Sequence, residues 1–322
     1  MSNVEEVPTE IRCQAEKSAG PGVEIITPHR VPLGGSLEVR RTLPRHTRSM
    51  IGAWCFADHY GPHDVSAGGG GMNVPPHPHT GLQTVSWLFE GVVEHRDSLG
   101  THALVRPGEL NLMTGGHGIC HSEVSAPGTA VLHGVQLWVA LPDAHRDAPA
   151  NFEHHTPPVV EIDGAAVRVL LGELAGERSP VPTFSPLLGA ELVLPPGARL
   201  RLPVDPGHEH GVLVDSGTLE LAGRPVARGE LGFVAAGPAG LELANPTGAD
   251  VRVVLLGGAP FTEDIVMWWN FIGRSHDEIA AFREEWQRQS ERFGRVEGYT
   301  GGPAWLPAPP LPGTRIRPRA RP

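Results

Sequence analysis

Glycine or proline stands at nearly every fourth position of this chain, with 41 of one and 33 of the other in 322 residues, about twice their usual combined share of roughly 12%. Proline lacks a backbone donor and glycine loses the most freedom on ordering, so short strands joined by tight turns must replace long helices. A core is still expected, because 40% hydrophobic and 19% charged residues are too apolar for global disorder. No apolar run approaches the roughly 18 to 20 residues of a membrane span, so no membrane contact is expected. The length predicts about two domains.

The formal charge of −10, from 26 basic and 36 acidic residues, argues against direct nucleic-acid binding, which needs a basic face. The opening MSNVEEVPTE is acidic and polar where an export signal would carry a basic stretch and then an apolar one, and a cytoplasmic setting is expected. Cys13, Cys55 and Cys120 are odd in number and irregularly spaced, which fits reduced thiols rather than a disulfide framework or a zinc site.

Residues 1–22 lack periodicity and read as an N-terminal arm. Residues 23–150 read as a first β unit; in it Val85, Trp87 and Phe89 alternate with Thr84, Ser86 and Leu88 at the period of a half-buried strand. The same texture recurs over 151–262, with strands expected at 190–194, 211–214, 217–221, 241–244 and 251–256, so the halves read as two copies of one β architecture. The polar NFEHHTPP stretch, 151–158, reads as the connector between them. Within 263–298, Ser275 and Glu278 make a capping box, and Ile279, Phe282, Trp286 and Phe293 share one apolar stripe, predicting a helix over 277–293. The proline-rich tail 299–322 is expected to be disordered; its four arginines could touch an acidic partner, with a solvated tail the favoured reading.

Histidine carries the chemical signal, with 17 in the chain. On an extended strand residues i and i+2 share a face, so His77 and His79 form one convergent pair and His121 and Glu123 another. Pro78, between the first two, would weaken a central ladder and places that strand at a rim. Three nitrogens and one oxygen without a thiolate suit Fe(II), Mn(II), Co(II), Ni(II) or Zn(II) rather than calcium or magnesium. Burying the Glu123 carboxylate without a partner would cost several kcal/mol, roughly, and a dication supplies that partner; an exposed Glu123 is the alternative.

Other candidates are weaker. His208 and His210 repeat the His-x-His spacing without a second ligand strand and read as a solvent-exposed turn. Alternation turns Cys120 away from the face of His121, so it reads as a small buried hydrophobe. His95 reads as a hairpin hydrogen-bonding group and His117 as a turn residue at the site's entrance; for His59 and His63, support behind the ligands and a place on the surface are equally open. The Gly68–Gly71 run has no following lysine and reads as a flexible loop, not a phosphate cradle.

Gly71, His77-Pro-His79, Gln83-Thr-Val, Glu90-Gly91, the run from Arg106 to Gly116, Gly118-Ile-Cys-His121-Ser-Glu123 and Gln136-Leu-Trp138-Val together resemble the first cupin domain of pirin-like proteins. Gly257 to Pro260, Trp268 to Phe271 and Ser275 to Ile279 are similar to that family's closing strand and C-terminal helix. The resemblance spans about Ile25 to Phe293 and implies an all-β bicupin, two facing β-barrel or jelly-roll domains with a C-terminal α-helix. It implies iron in the N-terminal barrel on His77, His79, His121 and Glu123, and no complete metal site in the C-terminal one. Fe(II) is the expected ion, with Mn, Co, Ni, Cu or Zn as alternatives. Gln83 stands where the general cupin pattern has glutamate, a position that is not the usual fourth ligand in pirins, and His117 departs at a turn that shapes the pocket mouth.

Some pirin-like proteins open the flavonol quercetin with O₂, which implies a metal-dependent quercetin 2,3-dioxygenase with a flavonol-like substrate. Glu123 would then be ligand and proton acceptor, and Val85, Trp87, Met113 and His117 would line the pocket, core packing being the alternative for the first three. Others are iron-dependent regulators, which implies instead a redox-sensitive module acting through a protein partner. A monomer is expected.

Overall fold

The computed structural model describes residues 5, 8, 22–33, 37–66 and 71–318. Most of the 1–22 arm, Cys13 included, lies outside the described residues, as do Gly68 to Gly70. In chain order the strands are β1 (Val23–Ile26), β2 (His29–Pro32), β3 (Glu38–Leu43), β4 (Trp54–Asp64), β5 (Asn73–His79), β6 (Leu82–Glu90), β7 (Val93–Asp97), β8 (His102–Val105), β9 (Leu110–Thr114), β10 (Ile119–Ser125), β11 (Val131–Ala140) and β12 (Asn151–His155). They continue as β13 (Val160–Ile162), β14 (Ala165–Leu171), β15 (Glu173–Leu174), β16 (Glu177–Arg178), β17 (Leu187–Leu194), β18 (Arg199–Pro203), β19 (Glu209–Val214), β20 (Thr218–Leu221), β21 (Arg224–Ala227), β22 (Leu231–Val234), β23 (Gly240–Ala244), β24 (Val251–Gly258), β25 (Val266–Trp268) and β26 (Phe271–Gly273) before helix α1 (His276–Gln287).

Each half of the chain is one large and one small antiparallel sheet folded over each other, as the resemblance to a bicupin implied. The first barrel pairs a seven-stranded sheet, ordered β12-β9-β6-β11-β4-β3-β2, with a four-stranded one, β5-β10-β7-β8. The second repeats the plan with β1-β22-β19-β24-β17-β14-β13 and β18-β23-β20-β21. Two segments sit differently from the sequence reading. Val23–Ile26 joins the second barrel, running antiparallel to β22, and the supposed connector contributes β12, which pairs with β9 at the edge of the first. Both edges are thereby closed by a neighbouring stretch of chain.

The two large sheets face each other. In register across β4, β11, β6 and β9, Ala57, Leu137, Val85 and Leu112 share one face, with Trp87 and Val135 beside them. That face joins Leu170, Leu187, Leu213, Phe233 and Leu256 of the second barrel in one apolar core. Each such side chain stabilises by about 1.5 to 3 kcal/mol when buried, so the barrels hold together through their largest apolar surface. Trp54 crosses the boundary and its Nε1 donates to the carbonyls of Leu188 and Gly257 at 3.0 and 3.1 Å.

The C-terminal elements pack on the outside of the first barrel, where Cys120 meets Trp268, Phe271, Ile279, Trp286 and Phe293. Ser275 caps α1 by accepting from the Glu278 amide at 3.2 Å, while the Glu278 carboxylate receives the Arg274 amide at 2.6 Å. The helix stops at Gln287 rather than Phe293, because Gln289 turns left-handed with φ of 53°; Phe293 reaches the same cluster from a turn. The expectation of a disordered tail is corrected over residues 299–318. Ala308 and Ile316 are buried, the Trp286 Nε1 donates to the Leu306 carbonyl at 2.9 Å, and the Leu306 amide donates to the Pro76 carbonyl at 2.7 Å. Proline prevents ladders and helix turns but not docking of an extended strap. Among the described residues no helix is long and apolar enough to cross a membrane.

Candidate metal centre

The proline-rich β5 lies at an edge of its sheet, as Pro78 requires, and its partner β10 sets His121 directly opposite His77. A bulge follows between His121 and Glu123. Gly115 lets the opposite turn come close, since a β-carbon there would stand 3.1 Å from the His79 Cβ. His77, His79 and His121 are wholly buried and present donor atoms within 4.8 Å of one another.

The hydrogen bonds fix which nitrogens face inward. Carbonyl oxygens only accept, so His77 donates from Nδ1 to Pro75 at 2.8 Å and His79 from Nδ1 to Asn270 at 3.2 Å. Asn270 sits in the tight β25–β26 turn beside Trp269, whose φ of 52° is a strained conformation for a bulky residue. Each ring is left with its Nε2 as the ligating atom. The His79 and His121 Nε2 atoms lie 3.1 Å apart, close enough for one cation to contact both. Burial is also the main reason His77 is pushed down to about 4 and His79 and His121 well below the usual histidine range. Neutral imidazoles at ordinary pH are what a metal needs. The donor set therefore fits a borderline first-row divalent ion.

Glu123 is 2% exposed and shares the face of His121, which removes the exposed alternative. Its charge works against burial at His77. The tight donor group is the three histidines, and Glu123 lies beside it.

Ring contacts and register define the surroundings. Trp138 stands edge-on to His79 at 5.3 Å and stacks on Phe56 at 4.1 Å. Thr84 lies opposite both Trp138 and Met113, so Met113 is on the face that looks at the histidines. Val85 and Trp87 are not: strand alternation turns them to the interdomain core, correcting their expected place in the pocket. His117 occupies the expected turn, but its side chain is 55% exposed and 3.8 Å from Asp147, with Arg292 at 3.2 Å; it contacts this outer surface rather than the three clustered histidines.

Sequence reasoning missed the support behind His121. His95 is on β7 of the β7–β8 hairpin and hydrogen-bonds as expected, but it is buried and its partners belong to the site: its Nδ1 lies 3.3 Å from the His121 Nδ1 and its Nε2 3.2 Å from an Asp97 oxygen. The signal was present as His95-x-Asp97, the same i, i+2 spacing as the ligand pairs. A second cluster was missed entirely: His59 and His133 of the first barrel meet Asp215 of the second. Arg40 Nε donates to the His59 Nδ1 at 3.3 Å, so His59 carries its hydrogen on Nε2 and donates to Asp215 at 2.8 Å. The contacts of His59 and His133 with Asp215 tie the two barrels together. His210 is fully buried on β19, correcting the exposed-turn reading, and burial pushes it down to about 4.

Comparison with known proteins agrees with this geometry. Residues 36–139 match the family model described as Pirin and residues 189–294 the one described as Pirin C-terminal cupin domain. A Pseudomonas aeruginosa protein provisionally named a quercetin 2,3-dioxygenase is 46% identical over 89% of this chain and 90% of its own. Human pirin is 27% identical over 82% of this chain and 91% of its own. The crystal structure of a quercetin 2,3-dioxygenase from Acinetobacter baumannii superposes with a TM-score of 0.87 at 39% identity, covering 92% of this chain and 98% of that one.

Proposed function

The chain belongs to the pirin family, and from that premise we propose that it is an iron-dependent dioxygenase of the quercetin 2,3-dioxygenase type, opening a flavonol-like substrate with O₂. The observation that carries the reading is the convergence of three buried, neutral imidazoles on one point of the first barrel. The names of the relatives 46% and 39% identical to it support the same reaction class. His77, His79 and His121 would hold the ion, with Glu123 as fourth ligand. When bound, the metal supplies a Lewis acid for the substrate's oxygens and the redox couple on which reaction with O₂ draws.

The rest falls to the protein. Glu123 accepts the proton of the flavonol hydroxyl at its carboxylate, a role that needs a base within hydrogen-bond reach. Phe56, Met113 and Trp138 offer apolar surface to a flat aromatic ring system. Ser86 and Gln136, hydrogen-bonded to each other at 2.8 Å on the same face, offer polar partners for its hydroxyls. Burial excludes bulk water from the site.

The test is an aerobic assay following loss of quercetin absorbance with iron-loaded protein, metal-free protein and Glu123→Ala. Turnover is expected from the loaded protein alone, with Glu123→Ala lower by about 100-fold or more, the usual scale for losing a general base. No turnover by protein shown to hold iron refutes the proposal.

A further inference from the structure

We propose that His95 and Asp97 are positioning residues that select the tautomer of His121 and thereby decide how tightly the first barrel binds its metal. This inference rests on the metal reading above. His77 and His79 are held by main-chain carbonyls, acceptors that no side-chain change can reverse. His121 is held differently, by a chain of side chains. Asp97 lies directly opposite it in the β7–β10 ladder, and His95 lies opposite Glu123, so all four point into the barrel.

With one hydrogen on each ring, the chain has one consistent arrangement. An ionised carboxylate only accepts. Asp97 Oδ1 receives the amides of Leu99 and Thr101 at 2.9 and 3.0 Å, which leaves Oδ2 for the His95 Nε2–H at 3.2 Å. With its hydrogen on Nε2, His95 accepts at Nδ1 from the His121 Nδ1–H at 3.3 Å. His121 is then left with a lone pair on Nε2, the atom 3.1 Å from the His79 Nε2. The side chains of His95 and Asp97 are 4% and 0% exposed, and Phe152 lies against the His95 ring at 4.8 Å, so water does not compete for the chain. A carboxylate at its far end also raises the basicity of the ligating nitrogen.

Reversing the first link should reverse them all. Asp97→Asn keeps an oxygen for the Leu99 and Thr101 amides and turns an NH₂ toward His95. His95 must then accept at Nε2 and donate from Nδ1, which places the His121 hydrogen on Nε2, where it blocks the metal. The same logic explains why a triad aspartate changed to asparagine traps the wrong histidine tautomer.

The experiment uses full-length protein without a histidine tag and measures Co(II) affinity by chelator competition, the Co(II) visible spectrum and the melting of the metal-free form. Asp97→Asn is expected to bind Co(II) about 10- to 100-fold more weakly, the range for losing such outer support, with a spectrum altered by the missing imidazole and little change in metal-free melting. His95→Gln alone should keep most of the affinity, because its carboxamide NH₂ can donate to Asp97 while its oxygen accepts from the His121 Nδ1–H. Ser98→Ala, which alters the same hairpin where Ser98 accepts from the Cys120 amide, should bind as the wild type does. Wild-type affinity and spectrum in Asp97→Asn overturn the inference. If Asp97→Asn does not fold, His95→Phe keeps a ring against Phe152 and removes both nitrogens; wild-type affinity there overturns it equally. A wild-type protein that binds no Co(II) or Fe(II) would instead refute the metal reading.

Discussion

Truncating Asp215 should loosen the two barrels from each other. Its side chain is 1% exposed and receives hydrogen bonds from His59 at 2.8 Å, His133 at 2.5 Å and Arg252 at 3.2 Å, two of them from the other barrel. Asp215→Ala leaves three buried or half-buried donors without that acceptor. Removing one partner of a buried ionic cluster costs about 3 to 5 kcal/mol. The lower end applies, because Arg252 still has Glu191 at 3.1 Å and its own side chain is 33% exposed. If all 322 residues unfold together, the unfolding entropy of roughly 0.7 kcal/mol/K converts about 3 kcal/mol into a Tm lower by about 4 °C. Differential scanning calorimetry of the metal-free protein at pH 7.5 reads this directly. Asp215→Asn, which keeps an accepting oxygen but loses the charge, should fall between. A drop below about 1 °C in Asp215→Ala would show that the cross-link contributes no net stability, since the estimate follows only from breaking it.

Three further outcomes follow. Burial pushes His59 and His210 down to about 4 from an unfolded value near 6.5, so the unfolded chain binds more protons between those limits. Stability should therefore be complete above about pH 6.5 and fall toward pH 4, at up to about 1.4 kcal/mol per pH unit for each histidine, and His59→Gln should flatten a urea-midpoint series over that window. Ending the chain after Gly298 removes the strap that buries Ala308 and Ile316 and bonds Trp286; a loss of about 2 kcal/mol or more and a red-shifted tryptophan emission are expected. Metal analysis should find about one equivalent in tag-free protein, and His77→Ala combined with His121→Ala should remove nearly all of it, as loss of two of three nitrogen donors demands.

Local spacing made the centre legible in the sequence. His-x-His and His-x-Glu need only strand alternation to share a face, and the structure brings His77, His79 and His121 together, with Glu123 buried on the face of His121. Strand positions in the second half were readable for the same reason, as at Val251–Gly258. What escaped depends on distant pairing. Nothing near Val23 shows that it will lie against Val234, and nothing near His59 or His133 shows an aspartate some eighty or more residues away. Val85 and Trp87 were assigned to the wrong face because period-two alternation separates faces without saying which one meets the metal. Phe293 kept helical spacing while the backbone left the helix, so an apolar stripe alone overran the true end. The tail was misjudged because proline content reports on hydrogen-bonded structure and not on docking.

The two barrels share a plan but differ in how polar their interiors are. The interior of the second is filled by Val212, Val214, Leu200, Leu219, Leu241 and Val253, an apolar packing that needs no ion and leaves His210 without a hydrogen-bond partner on either ring nitrogen among the described residues. The first keeps Thr84, Ser86, Asn111, Gln136 and Asp58 buried on the side that faces its histidines, a surface suited to a metal and a polar aromatic ligand but poor in hydrophobic stabilisation. Its apolar packing lies away from those polar groups, and Val39, Tyr60, Val74, Leu88 and Leu132 cluster among its own strands. The interdomain core supports one side, and the cluster of Trp268, Phe271, Trp286 and Phe293 supports the other. That second support also carries the Asn270 carbonyl that orients His79 and the Leu306 amide that binds Pro76 next to His77. That outer cluster thus also helps to place His77 and His79, so damage to α1 or the strap should loosen metal binding as well as the fold.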